Sequence, residues 1–333
     1  MTEAEILRNI EGLEPRLQRA YLDQIRSVVD AATIAEIERL IEQQDERGVS
    51  ELMYLGVFAA LMEASRAAYM AGATSEKVKP PRSGAKPIEF DVNQPEAQAD
   101  IQKGATDLLE EISSNQREAI SVTMRAGLNR GQTARETALD IIGRVNAQTG
   151  NRSGGVIGLA GNDAQAIARA TEQLMSGDLV QLRQYLTRAD RDKRLDGIIH
   201  ESIETGKPVS KADTKRIIGR YADRKLEARA QMIAQSEAHK AYNAGWNRLY
   251  AQLLQQDVPP GSVEKIWRSK GDEKVRHSHA LLNGQRVPFN QPFQSPKGAQ
   301  MMFPGDDSLG AGWDELAHCR CTVSYRVKRA AKG

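Results

Sequence analysis

From Ser210 to about Leu254 the chain carries one continuous helix-compatible pattern, and no other stretch restricts the fold as strongly. Ser210 stands where an N-cap belongs. Asp213 falls in the first turn, where a carboxylate meets the free amides and the positive end of a helix. Unbroken, about 45 residues rising ~1.5 Å each make a rod of ~65–70 Å. Gly219 and Gly245 are the weak points at which such a rod could bend. Ile218, Ala222, Leu226, Ile233, Tyr242, Trp246, Leu249 and Leu253 form one apolar stripe, with Tyr242, Trp246 and Tyr250 expected to pack against whatever follows. Glu237 and His239 lie near that stripe, and His239 reads as a satisfied or surface histidine rather than a catalytic one.

The composition changes where this pattern stops. After Asp257 come Trp267, Phe289, Phe293, Phe303, Trp313 and Tyr325, together with Pro259, Pro260, Pro288, Pro292, Pro296 and Pro304. Upstream the chain is rich in Ala, Glu, Arg, Gln and Leu, which favour helix. The expected fold is therefore α+β: a predominantly helical N-terminal body with long helices, then a small C-terminal α+β module. The expected divisions are a helical region over 1–80, a proline-rich arm or linker over 81–96, a helical body over 97–257 that includes the long helix of about 211–255, and the module over 258–333.

Within the body, Leu17, Tyr21, Ile25, Val28 and Val29 predict a helix over about 16–44. A second is expected from Ser50, as N-cap, to Ala71, with Gly72 as its stop. The stretch 74–98 carries four prolines and little apolar content, which predicts an extended, exposed segment. Ala97–Arg130 reads as helix. Thr133 followed by Glu136 is a capping box for the next one. The glycine-rich stretch 149–163 lacks the Lys-Ser/Thr that a phosphate-cradling loop carries into its helix. Further helices are expected over Ala164–Met175 and Leu179–Arg188. In the module, "SVEKIWRS" and "GQRVPFN" read as strands. "CRCTVSYRVKR" alternates, with Cys319, Cys321, Val323 and Tyr325 on one side and Arg320, Thr322, Ser324 and Arg326 on the other.

Several function classes are disfavoured by bulk properties. The formal charge of +2 over 333 residues is not that of a strongly basic nucleic-acid binder, although local patches at Thr187–Arg194 and Tyr325–Lys332 leave weak DNA contact open. The first residues are charged and lack the apolar core of a leader, and the most apolar run, Leu55–Met62, is too short to span a bilayer. The only two cysteines lie two positions apart, so no disulfide framework is expected and folding in a reducing cytoplasm is.

The chemistry-bearing residues concentrate in two short stretches, "DEKVRHSHALLNG" and "HCRC". Residues two apart in a strand share a face. Cys319 and Cys321 then point together, as would His277 and His279 in an extended segment, and the two pairs would offer a tetrahedral set of two nitrogens and two sulfurs suited to zinc. The alternatives are two cysteines acting as small buried hydrophobes, or a catalytic site in which Asp272, Glu273, Asp306 and Asp307 supply carboxylates.

Trp267, Asp272, Arg276, His279, Leu282, Gly284, Pro304, Gly305, Asp306, Cys319, Arg320 and Cys321 together make a pattern that resembles the phage head morphogenesis family, the Mu F-like minor head proteins. The upstream "EARAQMIAQSEAHKAYNAG" is similar to that family's helix, with Ser236-Glu237 where Thr-Glu is usual. The resemblance is strong over about 225–326, diffuse over 85–225 and absent from the first 80 residues. His277 lies outside the family pattern, and His318 stands where Asn commonly precedes Cys-Arg-Cys. The trio carried over is thus His279, Cys319 and Cys321, with Asp272, His277 or His318 as the candidate fourth ligand of a structural zinc.

The resemblance implies a minor capsid component, present in few copies, that contacts the portal, major capsid or scaffold proteins during assembly in the host cytoplasm and ends in the virion interior. It also implies a possible departure with the genomic DNA, for which Arg326, Lys328, Arg329 and Lys332 are the candidate contacts. No catalytic turnover and no membrane partner are expected. The rival expectations are a metal-dependent hydrolase or nuclease built on the His/Cys module, and a DNA-binding ejected protein.

Overall fold

The structure is a computed structural model and describes residues 2–54, 58–145, 150, 152–256, 258–259 and 261–328. In chain order its helices and strands are α1 (Glu3–Glu11), α2 (Glu14–Ala31), α3 (Ile34–Glu42), α4 (Glu46–Leu52), α5 (Ala59–Ala73), α6 (Pro95–Asn129), α7 (Ala134–Ile142), β1 (Arg144–Val145), β2 (Arg152–Ser153), α8 (Gly161–Met175), α9 (Leu179–Tyr185), α10 (Asp196–Thr205) and α11 (Lys211–Leu254). After these come β3 (Val263–Arg268), α12 (His277–Leu282), β4 (Arg286–Pro288), β5 (Phe293–Gln294), β6 (Gln300–Met301), α13 (Trp313–Leu316) and β7 (Thr322–Val327). The fold is α+β, with long helices upstream and small sheets near the C-terminus.

The chain forms two compact units. One comprises Met1–Tyr21, Ala59–Asp107 and Gln231–Gly333, and the other Leu22–Phe58 and Leu108–Ala230. In the second unit, Thr133 and Glu136 form the expected capping box at the start of α7. Gly154 and Gly155 have φ of +73° and +96°, a region open to glycine at no steric cost. The Gly154 amide donates to Asp223 Oδ1 at 2.6 Å, so a carboxylate of the chain itself occupies the place a phosphate would need. Helix α11 runs unbroken for 44 residues, and the Ser210 hydroxyl accepts from the Asp213 amide at 3.1 Å.

Three helix boundaries differ from expectation, each for a local reason. The predicted helix over 16–44 is two, because Thr33 takes an extended conformation (φ −90°, ψ 117°) and restarts the chain as the N-cap of α3. Ser50 is not a cap. It lies inside α4, where its hydroxyl turns back to the Glu46 carbonyl at 2.9 Å, while Asp45 caps the helix through the Gly48 amide at 2.8 Å. Gly72 does not stop α5, which continues to Ala73.

In the first unit, α5 lies against the C-terminal half of α11 through small residues. Ala68, Tyr69, Ala73 and Ala241 form a buried cluster with Phe90 and Ile101 beside it. A Cβ at Gly72 would collide with the Tyr242 carbonyl, and one at Gly245 with the Tyr69 carbonyl, so the two glycines let the two backbones approach. The proline-rich stretch after α5 holds no helix or strand but is tied down. Glu76 accepts from Trp246 Nε1 at 2.7 Å and from the Tyr250 hydroxyl at 2.6 Å, and Gln252 bonds both main-chain polar groups of Asp91.

The C-terminal part of this unit is built on a three-stranded antiparallel sheet of order β4-β3-β7, with Trp267 opposite Val323 and Lys265 opposite Tyr325. Tyr325 stacks on Tyr250 at 4.2 Å and meets the edge of Trp246 at 5.6 Å, so the aromatic stripe of α11 packs on the module, as its spacing predicts. Among the described residues no helix is long and apolar enough to cross a membrane.

Candidate metal centre

The local chain path brings His279 and the two cysteines together. After β3 the chain turns at Gly271 (φ +73°) and enters α12, a helix too short to bury more than one face. That face carries Ser278 and His279, 5% and 1% exposed, while His277 points to solvent. Helical geometry therefore separates the two histidines that an extended segment would have aligned. Gly284 (φ +81°) returns the chain to β4, its amide donating to the Trp267 carbonyl at 2.9 Å. At the far end, His318 adopts φ +54°, which turns the chain after α13 and sends Cys319 and Cys321 inward just before β7 begins. Cys319, Cys321 and Val323 are buried as predicted, but the alternation breaks at Thr322, expected on the other side and only 1% exposed, and both cysteines precede the strand itself.

Cys319 Sγ and Cys321 Sγ each stand 3.5 Å from His279 Nδ1, and the three donor atoms all lie within 4.8 Å of one another. All three side chains are buried and both thiols are free. His279 Nε2 lies 2.8 Å from Glu315 Oε2, a contact made by distance rather than by an aligned hydrogen bond. Glu315, itself 1% exposed, also meets Ser278 Oγ at 3.2 Å and Lys297 Nζ at 3.5 Å. A carboxylate beside the far nitrogen, with Nδ1 facing the sulfurs, is the arrangement in which outer carboxylates support metal-bound histidines. The Trp267 ring meets His279 edge-on at 5.1 Å and closes the site on the sheet side.

The electrostatics favour one thiolate and resist a second. Cys319 is held well below the usual thiol range by hydrogen bonds from the Cys321 thiol and from His279. Cys321 is pushed up by its bond to Cys319, by burial and by the neighbouring negative charge. A soft divalent cation would remove that conflict by neutralising both sulfurs. His279, Cys319 and Cys321 can hold a metal ion.

The remaining predicted residues are placed as follows. Asp272 is engaged by Arg320 through two contacts of 2.6 and 2.5 Å, so both of its oxygens face a guanidinium. His277 and His318 are exposed, and His318 is lowered by partial burial and by the charges of Arg276 and Arg320. None of these three falls in the group formed by His279 and the cysteines. Arg276 donates to the carbonyls of Asp314 and Ala317, bracing the turn that carries Glu315. Pro304, Gly305 and Asp306 form a loop in which Asp306 accepts from the amides of Met302 at 2.7 Å and Ser308 at 3.0 Å. A Cβ at Gly305 would lie 3.2 Å from the Lys240 backbone. Arg326 is exposed, Lys328 pairs with Glu264 at 2.6 Å, and Arg329 and Lys332 lie outside the described residues.

Three buried polar residues had no sequence signal strong enough to single them out. Glu315 sits in "WDELAHCRC" like any surface acid. Asn243, wholly buried on α11, donates to the carbonyls of Pro304 at 3.0 Å and Cys321 at 3.2 Å and accepts from the Val323 amide at 3.3 Å. Its only signal was a polar residue inside an apolar stripe. Lys265 occupies an inward position of β3, donates to the Met302 carbonyl at 2.8 Å and lies over the Phe289 and Phe293 rings.

A buried His/Cys/Cys cluster with a carboxylate beside it thus lies in the small-sheet region that follows the long helices. The chain belongs to the Phage Mu protein F like family of phage head morphogenesis proteins, whose model matches residues 118–324, well over half of the chain. No curated protein and no solved structure matches it.

Proposed function

We propose that this protein is a minor component of a phage head, acting in capsid assembly through contacts with the portal or the inner capsid, and that His279, Cys319 and Cys321 hold a structural zinc ion. Family membership supports the first part. The burial of the trio carries the second: side chains 1%, 3% and 2% exposed can bind an ion and close around it, but a hydrolytic metal must keep a position open to substrate and water. In this role the protein is made in the host cytoplasm and ends in the virion, near the portal or inside the shell.

Co-expression with the portal and major capsid proteins tests the assembly role. The protein should co-sediment with portal-containing complexes, and recovery only as free protein would end that reading. Elemental analysis of protein purified without chelator should give about one zinc per chain, whereas less than ~0.2 would remove the metal. The hydrolase reading is separated by Cys319→Ser and Cys321→Ser. A structural zinc predicts a lowered Tm, while a catalytic one predicts lost turnover at unchanged Tm.

A further inference from the structure

Three donors leave a zinc ion one short of its usual four, and the identity of the fourth separates a closed structural site from an open catalytic one. We propose that His239 of α11 is the fourth ligand, so that the ion joins the long helix to the C-terminal module. This deepens the structural-zinc reading and rests on it.

The case begins with register. Ser236, His239 and Asn243 stand at i, i+3 and i+7, on one face of α11. Ser236 Oγ accepts from the His318 amide at 3.1 Å, and Asn243 Nδ2 donates to the Cys321 carbonyl at 3.2 Å. The face between them therefore runs along residues 318–321, and His239 occupies the middle of it, opposite the segment that carries Cys319. The ring also lies against the Cys321 main chain.

The second observation is independent of register. His239 is 2% exposed, and its Nδ1 has no hydrogen-bond partner among the described residues. A buried ring nitrogen without a partner costs on the order of 1–3 kcal/mol, and such groups call for an ion or a water. The other candidates are accounted for elsewhere, Asp272 by Arg320, and His277 and His318 by exposure. The His239 nitrogens stand outside the group whose donor atoms all lie within 4.8 Å of one another, so coordination requires the ring to close in on the sulfurs. With His239 the set becomes two thiolates and two imidazoles. Cys319 is already favoured as the thiolate, so binding displaces the Cys321 thiol proton to solvent, and the two thiolate charges then balance the divalent cation.

X-ray absorption at the zinc edge of the full-length wild-type protein tests this without any variant. The expected result is two sulfurs and two imidazole nitrogens. Two sulfurs, one imidazole and an oxygen would overturn the assignment of His239 while leaving the trio intact. Absence of zinc would overturn the trio as well. Cobalt(II) substitution adds a second readout. In the wild type the visible bands should ignore added azide. In His239→Ala and His239→Gln they should respond to azide, and affinity should fall by more than the ~10–100-fold that loss of an outer-shell partner costs. Wild-type affinity and spectrum in both variants would defeat the proposal.

Discussion

Lys265 is the residue whose burial is hardest to reconcile with its charge. It has no exposed surface, donates to one carbonyl and is otherwise enclosed by the Phe289 and Phe293 rings. Burial pushes its pKa down to about 8, only partly opposed by Asp306. The unfolded chain keeps this proton until about pH 10.5, whereas the folded chain releases it near 8. Between those values the unfolded state binds more protons, so stability rises with pH, and below 8 the effect is flat. Relative to Lys265→Met, which has no proton to lose, the wild type should gain on the order of 3 kcal/mol between pH 8 and 10.5. Parallel stability curves for the two proteins in urea across that range would show that the amine does not titrate as its surroundings require. Glu315 acts on the opposite sign of charge. Glu315→Gln removes the carboxylate behind His279 and should weaken zinc binding ~10–100-fold in a chelator competition, with stoichiometry kept. Unchanged affinity would mean that Glu315 serves only Ser278 and Lys297. The two His/Cys stretches were legible in the sequence because those residue types are scarce and clustered in this chain, whereas the choice of His279 over His277 came from the family resemblance. Glu315, Asn243 and Lys265 were not legible, since Glu, Asn and Lys are common at surfaces and nothing local reveals that a fold buries them.

Helices show where sequence signals run out. Capping is local chemistry, so Thr133 with Glu136 and Ser210 with Asp213 read correctly from four residues each. Glycine is ambiguous, because a stop, a hinge and a close backbone approach use the same residue and only the partner decides among them. Gly72 reads as a stop and Gly245 as a hinge, yet each faces a carbonyl of the other helix. Gly219, on the same helix as Gly245, is different: among the described residues nothing lies within 4 Å of where its Cβ would stand. Opposite outcomes are therefore expected from one substitution at two sites. Gly245→Ala should destabilise by about 1–3 kcal/mol through overpacking against the backbone. Gly219→Ala should stabilise by up to ~1 kcal/mol, from helix propensity alone. Equal Tm shifts for the two variants by calorimetry would contradict the close approach of α5 and α11. The two histidines teach a similar lesson. A period-2 reading aligned His277 with His279, and the six-residue α12 turned one of them away.

At the scale of the whole molecule the question is whether DNA contact is a main activity or a by-product of surface charge. The chain is close to neutral, at +2. Of its two basic clusters, Thr187–Arg194 has two of its arginines paired with nearby carboxylates and a third engaged by neutral groups. Arg191 pairs with Asp196 at 3.0 Å and Arg194 with Asp192 at 2.7 Å, while Arg188 bonds Gln173 at 3.0 Å and lies over the Tyr221 ring. In the other cluster Lys328 is committed to Glu264, which leaves Arg326 exposed among the described residues and Arg329 and Lys332 beyond them. Two or three phosphates neutralised is then the expected footprint. Each contributes about −0.9 to the slope of log K against log salt, so raising salt from 50 to 200 mM should weaken binding by about ten- to forty-fold. A dedicated DNA-binding surface with six or more phosphate contacts would lose about a thousand-fold or more over the same range. Fluorescence anisotropy with a short duplex distinguishes the two slopes. The shallow one is what an assembly protein would show if the genome is merely its neighbour, and the steep one would move DNA binding to the centre of its function.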